Sequence, residues 1–467
     1  MSFDTLSYLV FLPVVCLLHW LLPSRYRWLL LLLASYVFYA SWHVELSLLI
    51  FGVTTVTWLA GLFISRTASL RIRRVILLCA LTLCLGTLGY FKYLNLLGSS
   101  FAALTGGAWR VRDIILPVGI SFYTFQAMSY VIDVYGRKME AERHFGYYAL
   151  YISFFPQLVA GPIERADTLI AQLRRDRQFS SQDAVMGLRL ILSGFFRKIV
   201  IADLAAPFVD AVYQASSPDG SAVLIGTVLF AVQIYCDFSG YSEIAAGSAR
   251  LMGVRLIRNF DCPYSAENIR AFWRRWHISL TRWFTDYVYI PLGGNRRGLI
   301  RQIMAIYLVF ALCGLWHGAE WSFLVWGLLH AYFMMLYTLH RRFLPEKKEN
   351  RLLGRILTLG AVCFAWIFFR AENLRHALSL IQRLFSVWDV RSGLALLMSA
   401  SRRGVSAPAL GALGLSLLLT LSRLPVLTDE RKELPLTVWA AVLLALLLGV
   451  LIRTDSGTAN AFIYFQF

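Results

Sequence analysis

Long apolar runs recur along the whole 467-residue chain, and they restrict the fold more than any other feature. A helix of about 20 apolar residues crosses the hydrocarbon core of a bilayer. In lipid, each backbone N–H and C=O group must be satisfied within the segment itself or within a closed barrel. Hydrophobic residues make up 58% of the chain and charged residues 15%, against roughly 25% charged residues in a soluble domain. The sequence therefore predicts an all-α polytopic integral membrane protein.

We predict about 11–13 transmembrane or re-entrant helices, and a single membrane domain over residues 1–467. The first run is expected to remain as a span, because Asp4 has the wrong charge for the start of a signal peptide. The apolar runs are residues 6–22, 28–42, 46–65, 75–90, 114–135, 147–160, 185–206, 222–241, 303–316, 321–339, 356–369, 407–421 and 436–451.

Positive charge is concentrated in the loops between these runs. The chain carries 45 Lys and Arg against 27 Asp and Glu, a net charge of +18. In a membrane protein this excess marks cytoplasmic loops, so nucleic-acid binding is not expected; anionic lipid headgroups or an anionic donor are the expected partners of these loops. Simple alternation of the spans would place the basic residues 66–74 on the outside, against this rule. A re-entrant hairpin is therefore expected, because it would change the side on which these residues lie. The loops predicted to be cytoplasmic are residues 164–189, 250–301, 341–355 and 423–432.

A histidine near the end of the run 303–316 is the leading candidate for chemistry. His317 follows Trp316, and Gly314 and Gly318 flank it. An ionisable side chain at membrane depth indicates function by default, and a neutral imidazole can take a proton from an attacking hydroxyl. The two glycines leave room for a thin substrate or for a neighbouring helix. The alternative is a packing histidine bonded to a backbone carbonyl.

A second histidine, His277, lies in an aromatic and basic stretch. We interpret residues 259–285 as an interfacial amphipathic helix, on which Trp273 and His277 share a face because they are four residues apart. His277 either orients the donor or polarises the acyl carbonyl, or it is only an interfacial aromatic residue. His330, in the next apolar run, is either a supporting group or part of the core.

Other polar groups are candidates for binding substrate or donor. Asp237 and Glu243 either pair with arginines of the basic loop or form a proton relay. The turn 289–298 either binds a phosphate through its backbone amides or is an ordinary glycine-rich turn.

The seven cysteines include no CxxC pair, so no metal site is predicted. The candidate binding residues are Trp316, Trp273, Arg274, Arg275, Asp237, Asn295 and Arg296.

Taken together, several motifs resemble the bacterial membrane-bound O-acyltransferase (MBOAT) family, in its alginate O-acetyltransferase branch. The resemblance covers nearly the whole chain and is densest over residues 114–330. The residues that carry it are 116–126, 155–163, 237–242, 272–280, 292–296, 315–318 and 462–467.

The resemblance implies helices around a central tunnel or funnel, in the bacterial inner membrane. It implies that His317 is the catalytic histidine and His277 its companion. No permanently bound cofactor is implied; the donor is acetyl-CoA or a carrier-bound acyl thioester on the cytoplasmic side. The implied partners are a periplasmic or membrane-anchored SGNH-type acetylation protein and the machinery that exports a polysaccharide such as alginate or cellulose.

Three other functions remain open from the sequence. A transporter or flippase for a polysaccharide precursor would share the spans and the basic loops. A scaffold for a secretion complex would need neither histidine. Within the enzyme class, the acceptor of the acyl group would instead be a teichoic acid or a lipid.

Overall fold

Helices make up the regular structure of the part of the chain described here. The computed structural model describes residues 1–344, 350–386 and 388–401, together with residues 443, 446 and 462. Within these residues there is no β-strand. The prediction of an all-α membrane fold is confirmed. The predicted spans 407–421 and 436–451 lie outside the described residues.

The chain divides into two compact units, and the first comprises residues 1–191 and 242–258. In this unit α3, α4 and α6 pack together, and α6 is buried along most of its length. The helices that begin in this unit are α1 (Leu6–Leu21), α2 (Ser24–Ala40), α3 (Val44–Arg66), α4 (Leu70–Leu88), α5 (Leu94–Thr105), α6 (Ile120–Tyr135), α7 (Phe145–Ser153), α8 (Phe155–Leu158), α9 (Ala166–Arg174) and α10 (Ser181–Phe195).

The second unit comprises residues 192–241 and the described residues from 259 onward. Its central feature is an antiparallel pair formed by α15 and α16, against which α17 packs. The remaining helices are α11 (Asp203–Tyr213), α12 (Gly220–Leu251), α13 (Ile269–Trp273), α14 (Ile278–Phe284), α15 (Leu299–His317), α16 (Trp321–Phe343), α17 (Arg351–Arg370), α18 (Leu374–Ser386) and α19 (Val390–Ser401). The expectation of a single membrane domain stays a prediction.

Among the described residues, six helical segments are long and apolar enough to cross a bilayer, and α1 is a shorter apolar helix. The six are Val44–Arg66, Leu70–Thr105, Gly220–Leu251, Leu299–His317, Trp321–Phe343 and Arg351–Arg370. The protein is therefore a multi-pass membrane protein. The total of about 11–13 helices and the central tunnel stay predictions.

Two predicted spans are wrong as continuous helices, and a third is continuous but contains a π-helical segment. In the run 114–135 the helix begins only at Ile120, after Gly119 adopts a left-handed conformation (φ 75°). The run 147–160 breaks at Phe154, because the ring of Pro156 would clash with a carbonyl one turn earlier in an unbroken helix. The run 185–206 contains a π-helical segment, Phe196–Ala202, between α10 and α11.

Candidate active site

His317 is the last residue of α15, and its side chain is fixed by its own helix. Gly318 takes an extended conformation (φ −158°), which ends the helix. The His317 Nδ1 atom lies 2.6 Å from the carbonyl oxygen of Cys313, one turn earlier. A carbonyl only accepts, so Nδ1 carries the proton and donates it. The backbone therefore holds His317 in one tautomer.

This tautomer determines what the ring can do chemically. When Nδ1–H of a neutral imidazole donates to a carbonyl, the other nitrogen, Nε2, keeps a lone pair. The sequence left two alternatives, a general base or a packing histidine bonded to a backbone carbonyl. The bond to a carbonyl is present. A general base would also need Nδ1 held in this way, so the geometry is compatible with both alternatives, and the role of His317 as a base stays a prediction.

Aromatic rings surround His317. The ring centroids of Trp316, Trp326 and Phe369 lie 5.0, 4.9 and 5.6 Å from that of His317. Only 2% of the His317 surface is exposed. A low-dielectric environment of this kind strengthens electrostatic interactions.

His277 is the second histidine of the site, and its ring centroid lies 6.5 Å from that of His317. The Trp316 ring contacts both histidines, at 5.7 Å from His277. Phe238 packs edge-on against His277 at 4.7 Å. Burial lowers the pKa of the fully buried His277 imidazole well below its usual value, and the His317 ring lowers this pKa further. His277 is therefore neutral at physiological pH.

The backbone around His277 corrects the predicted interfacial helix. Residues 259–285 form two short helices, α13 and α14, and His277 between them is left-handed (φ 42°). Asn259 fixes this turn: its carbonyl oxygen accepts from Ile278 N–H, and its side chain accepts from Ser279 Oγ at 2.7 Å. The prediction that Trp273 and His277 share one helical face is wrong.

The tryptophans of this stretch are also not interfacial. Trp273, Trp276 and Trp283 are all buried within the protein. Periodicity alone does not reveal the break at His277, since a left-handed conformation at a non-glycine residue is uncommon.

A third histidine, His330 of α16, joins the same cluster. The Trp273 indole Nε1–H donates to His330 Nδ1 at 3.3 Å, and the ring of Trp326 lies 4.9 Å from His330 and 4.9 Å from His317. His330 is fully buried. This bond and this burial fit both alternatives, a supporting group and a residue of the core, so a supporting role of His330 stays a prediction.

Close packing of α15 against α16 holds the cluster together. A Cβ added to Gly314 would lie 2.3 Å from the carbonyl oxygen of Phe323, and one added to Gly327 would lie 2.2 Å from that of Phe310. A Cβ on Gly318 would meet the Phe323 ring at 2.1 Å. The glycines beside His317 therefore make room for the neighbouring helix, the second of the two roles considered from the sequence.

Asp237 pairs with a lysine outside the basic loop. Its carboxylate lies 2.6 Å from Lys198 Nζ, and Asp203 lies 3.0 Å from the same ammonium. All three side chains are buried. The cation of this pair comes from the π-helical segment before α11 rather than from the basic loop. A pairing of Asp237 with an arginine of that loop stays a prediction. A lysine inside the apolar run 185–206 was the signal in the sequence.

The remaining candidate residues lie away from the histidine cluster or on the surface. Arg275 donates to Ser265 Oγ at 3.0 Å, and Arg274 is exposed. Asn295 and Arg296 are exposed on a turn in which Gly293 and Gly294 have positive φ. Ordinary turn chemistry accounts for this segment, and phosphate binding there stays a prediction.

Comparison with known proteins shows which proteins this chain is similar to. The family model of the membrane-bound O-acyltransferase family matches residues 141–381. The chain is 38% identical to the probable alginate O-acetylase AlgI of Pseudomonas aeruginosa, over 81% of this chain and 73% of that protein. It is 34% identical to the Pseudomonas putida protein of the same name, over 98% of both chains. A peptidoglycan O-acetyltransferase of Helicobacter pylori is 34% identical, over 80% of this chain and 77% of that protein.

Proposed function

The chain belongs to the membrane-bound O-acyltransferase family and is a multi-pass membrane O-acyltransferase, and we propose that it acetylates an exported polysaccharide with His317 as the general base. In this proposal an acyl thioester on the cytoplasmic side of the bacterial inner membrane supplies the acetyl group. The hydroxyl of the polysaccharide accepts it.

The names of the relatives support acetyl as the group and a polysaccharide as the acceptor. Both Pseudomonas proteins are named for alginate and the Helicobacter protein for peptidoglycan. We favour an alginate-type polymer, because the Pseudomonas putida relative is similar over nearly its whole length. Acetylation of cellulose stays a prediction.

The proposed reaction transfers one proton and one acyl group. His317 Nε2 takes the proton of the acceptor hydroxyl while the oxygen bonds to the thioester carbonyl carbon. The C–S bond then breaks, and the sulfur leaves and takes the proton from the imidazolium to give a thiol. The ester and the thiol are the products, and the imidazole returns to its neutral form.

The main support for the proposed role of His317 is one hydrogen bond, in which Nδ1–H donates to the Cys313 carbonyl at 2.6 Å. Fixing this tautomer prepares Nε2 for the hydroxyl before the acceptor arrives. A positioned base contributes roughly 10²–10⁴-fold to the rate. The same carbonyl stabilises the imidazolium while the proton is on the ring.

His277 is proposed to support the reaction in its neutral form. Its ring lies 6.5 Å from His317, and its lowered pKa keeps a second positive charge away from the imidazolium. A neutral ring N–H can donate a hydrogen bond to the oxyanion that forms at the thioester carbonyl. This assigns the base and the oxyanion donor to different histidines.

The donor and the protein partners belong to the same proposal. Acetyl-CoA or a carrier-bound thioester is the donor, and no cofactor is permanently bound. A periplasmic or membrane-anchored SGNH-type protein receives the acetyl group or acts beside this enzyme, next to the export machinery. The basic loops attract the phosphates of the donor.

A deletion strain tests the proposed function against the transporter. The secreted polymer is analysed by proton NMR, which reports its amount, its sugars and its ester content. We expect a normal amount of polymer with few or no acetyl esters, restored by the wild-type gene. Collapse of secretion with unchanged ester content in the remaining polymer would instead indicate a transporter or a scaffold.

A further inference from the structure

Five arginines line a small cavity in the first unit. Its volume is about 160 Å³, several times the ~30 Å³ that a water molecule occupies in the liquid. His19 and Ser24 also line it, and Asp176 is the acidic residue among the lining side chains. The lining arginines are Arg25, Arg27, Arg174, Arg175 and Arg177.

Backbone carbonyls, rather than carboxylates, hold two of these arginines in place. Arg27 donates to the carbonyl of Arg177 at 2.6 Å, and Arg177 donates to the carbonyl of Gly253. A carbonyl orients a guanidinium without neutralising its charge. Arg174 does pair with Glu142, so one of the five charges is balanced by a carboxylate outside the cavity lining.

The positive charges act on one another. Burial lowers the pKa of the Arg177 guanidinium, and Arg175 and Arg255 lower it further, while the Asp183 carboxylate raises it in part. The Arg177 Nε atom is buried and has no hydrogen-bond partner in the part of the chain that the structure describes. The cavity is therefore a region of positive potential that an anion would stabilise.

Two further groups are suited to an anion. The α2 helix begins at Ser24 after Pro23, without a side-chain cap, so its first N–H groups and its dipole favour negative charge. His19 is only 5% exposed, and its Nδ1 atom lacks a hydrogen-bond partner among the described residues. A buried polar atom of this kind normally has a partner, which a bound anion would supply.

We propose that this cavity is a binding site for a phosphate group, held by the arginines, His19 and the N-terminus of α2. Arginine is suited to this role because its planar donors match phosphate oxygens in pairs. Two sources present this chemistry: the headgroup of an anionic phospholipid and a soluble phosphate-bearing molecule. The site is independent of the acyl-transfer proposal, which concerns residues of the second unit.

Thermal unfolding of the full-length protein in detergent tests the site. Phosphatidylglycerol, phosphatidylcholine and inorganic pyrophosphate are titrated in turn, and the midpoint temperature Tm gives the apparent affinity of each. The test variant is Arg25→Gln/Arg175→Gln, since both side chains are exposed. The control is Arg71→Gln/Arg74→Gln, which removes the same charge from exposed positions of α4.

We expect at least one anionic ligand to raise the Tm of the wild type and of the control alike. In the Arg25→Gln/Arg175→Gln variant its affinity falls by about tenfold or more. A rise with pyrophosphate identifies a soluble phosphate as the ligand; a rise with phosphatidylglycerol but not with pyrophosphate or phosphatidylcholine identifies the lipid headgroup. The proposal is overturned if neither anionic ligand stabilises the wild type. It is also overturned if the test variant binds as the wild type does, or if the control loses as much affinity.

Discussion

The Nδ1 atom of His317 lies 2.6 Å from the carbonyl oxygen of Cys313, one turn earlier in the same helix. Because the partner belongs to the backbone, no other side chain is needed to set the tautomer of the ring. The side chains around His317 therefore have other roles: they exclude water and position His277 nearby.

His277 is expected to be needed for activity through its ring and for stability through its backbone. Asparagine tolerates a left-handed conformation better than most residues, whereas alanine at φ 42° is strained. We expect His277→Asn and His277→Ala both to lower acetyl transfer strongly. The Tm of the alanine variant should be lower still, by an amount equivalent to about 1 kcal/mol. Full activity in folded His277→Ala, which has no side-chain donor, would remove the ring from the mechanism.

Trp273→Phe should lower the stability of the protein, because it removes one buried hydrogen bond. The indole N–H that donates to His330 is lost, which leaves the histidine nitrogen without its donor at a cost of about 1–3 kcal/mol. Trp326→Phe is the matched control, because Trp326 Nε1 is buried without a hydrogen-bond partner among the described residues. Thermal unfolding measures both. If the two variants lose equal stability, the Trp273–His330 bond contributes nothing.

Gly314→Ala should force α15 and α16 apart. Its new Cβ would lie 2.3 Å from the Phe323 carbonyl oxygen, whereas a Cβ at Gly86 meets nothing within 4 Å. We expect Gly314→Ala to lower stability by about 1–3 kcal/mol and to reduce acetyl transfer by displacing His317. Gly86→Ala serves as the control and should change neither. Wild-type behaviour of both variants would show that this helix contact is not needed.

The raised pKa of Glu164 predicts how the stability of the folded protein changes with pH. Burial raises the pKa of its carboxyl from 4.5 to about 8, although Ile257 N–H donates to it. Because the folded state holds this proton more tightly, its contribution to stability is complete below pH 4.5 and is lost as the pH rises through about 8. Glutamine mimics the protonated acid.

The corresponding measurement is a Tm series from pH 6 to pH 9. Glu164→Gln should lose less stability than the wild type over this interval and exceed it at the alkaline end. Glu140→Gln, at an exposed position, is the control and should follow the wild type. An identical slope for Glu164→Gln and the wild type would show that Glu164 is ionised in the folded protein.

The sequence predicted the helical membrane fold and the position of His317, because both depend on local signals. A run of apolar residues that ends in a glycine indicates where a membrane helix stops, and an imidazole there is conspicuous. For residues 259–285 the local signals predicted one continuous helix, whereas the structure has two short helices that are separated at His277. The left-handed conformation of His277 is set by Asn259, which lies 18 residues earlier, and such a contact has no periodicity.

Other features of the site depend on contacts between distant segments. Lys198 and Asp237 are separated by all of α11 and about half of α12, so the sequence named the carboxylate but not its partner. The Trp273–His330 bond links two residues that are 57 positions apart in the sequence. In each case the residue was recognisable from its chemistry, but its partner was set by packing.

His317→Asn tests the central claim most directly. The asparagine amide can still donate to the Cys313 carbonyl from nearly the position of Nδ1, but the side chain has no counterpart of Nε2. Acetyl transfer should be measured in membranes from a deletion strain that carries the variant, with Tm and protein level as controls. We predict wild-type amount and stability with acetyl transfer reduced by about 10²-fold or more. Acetyl transfer at the wild-type rate would contradict the assignment of His317 as the general base.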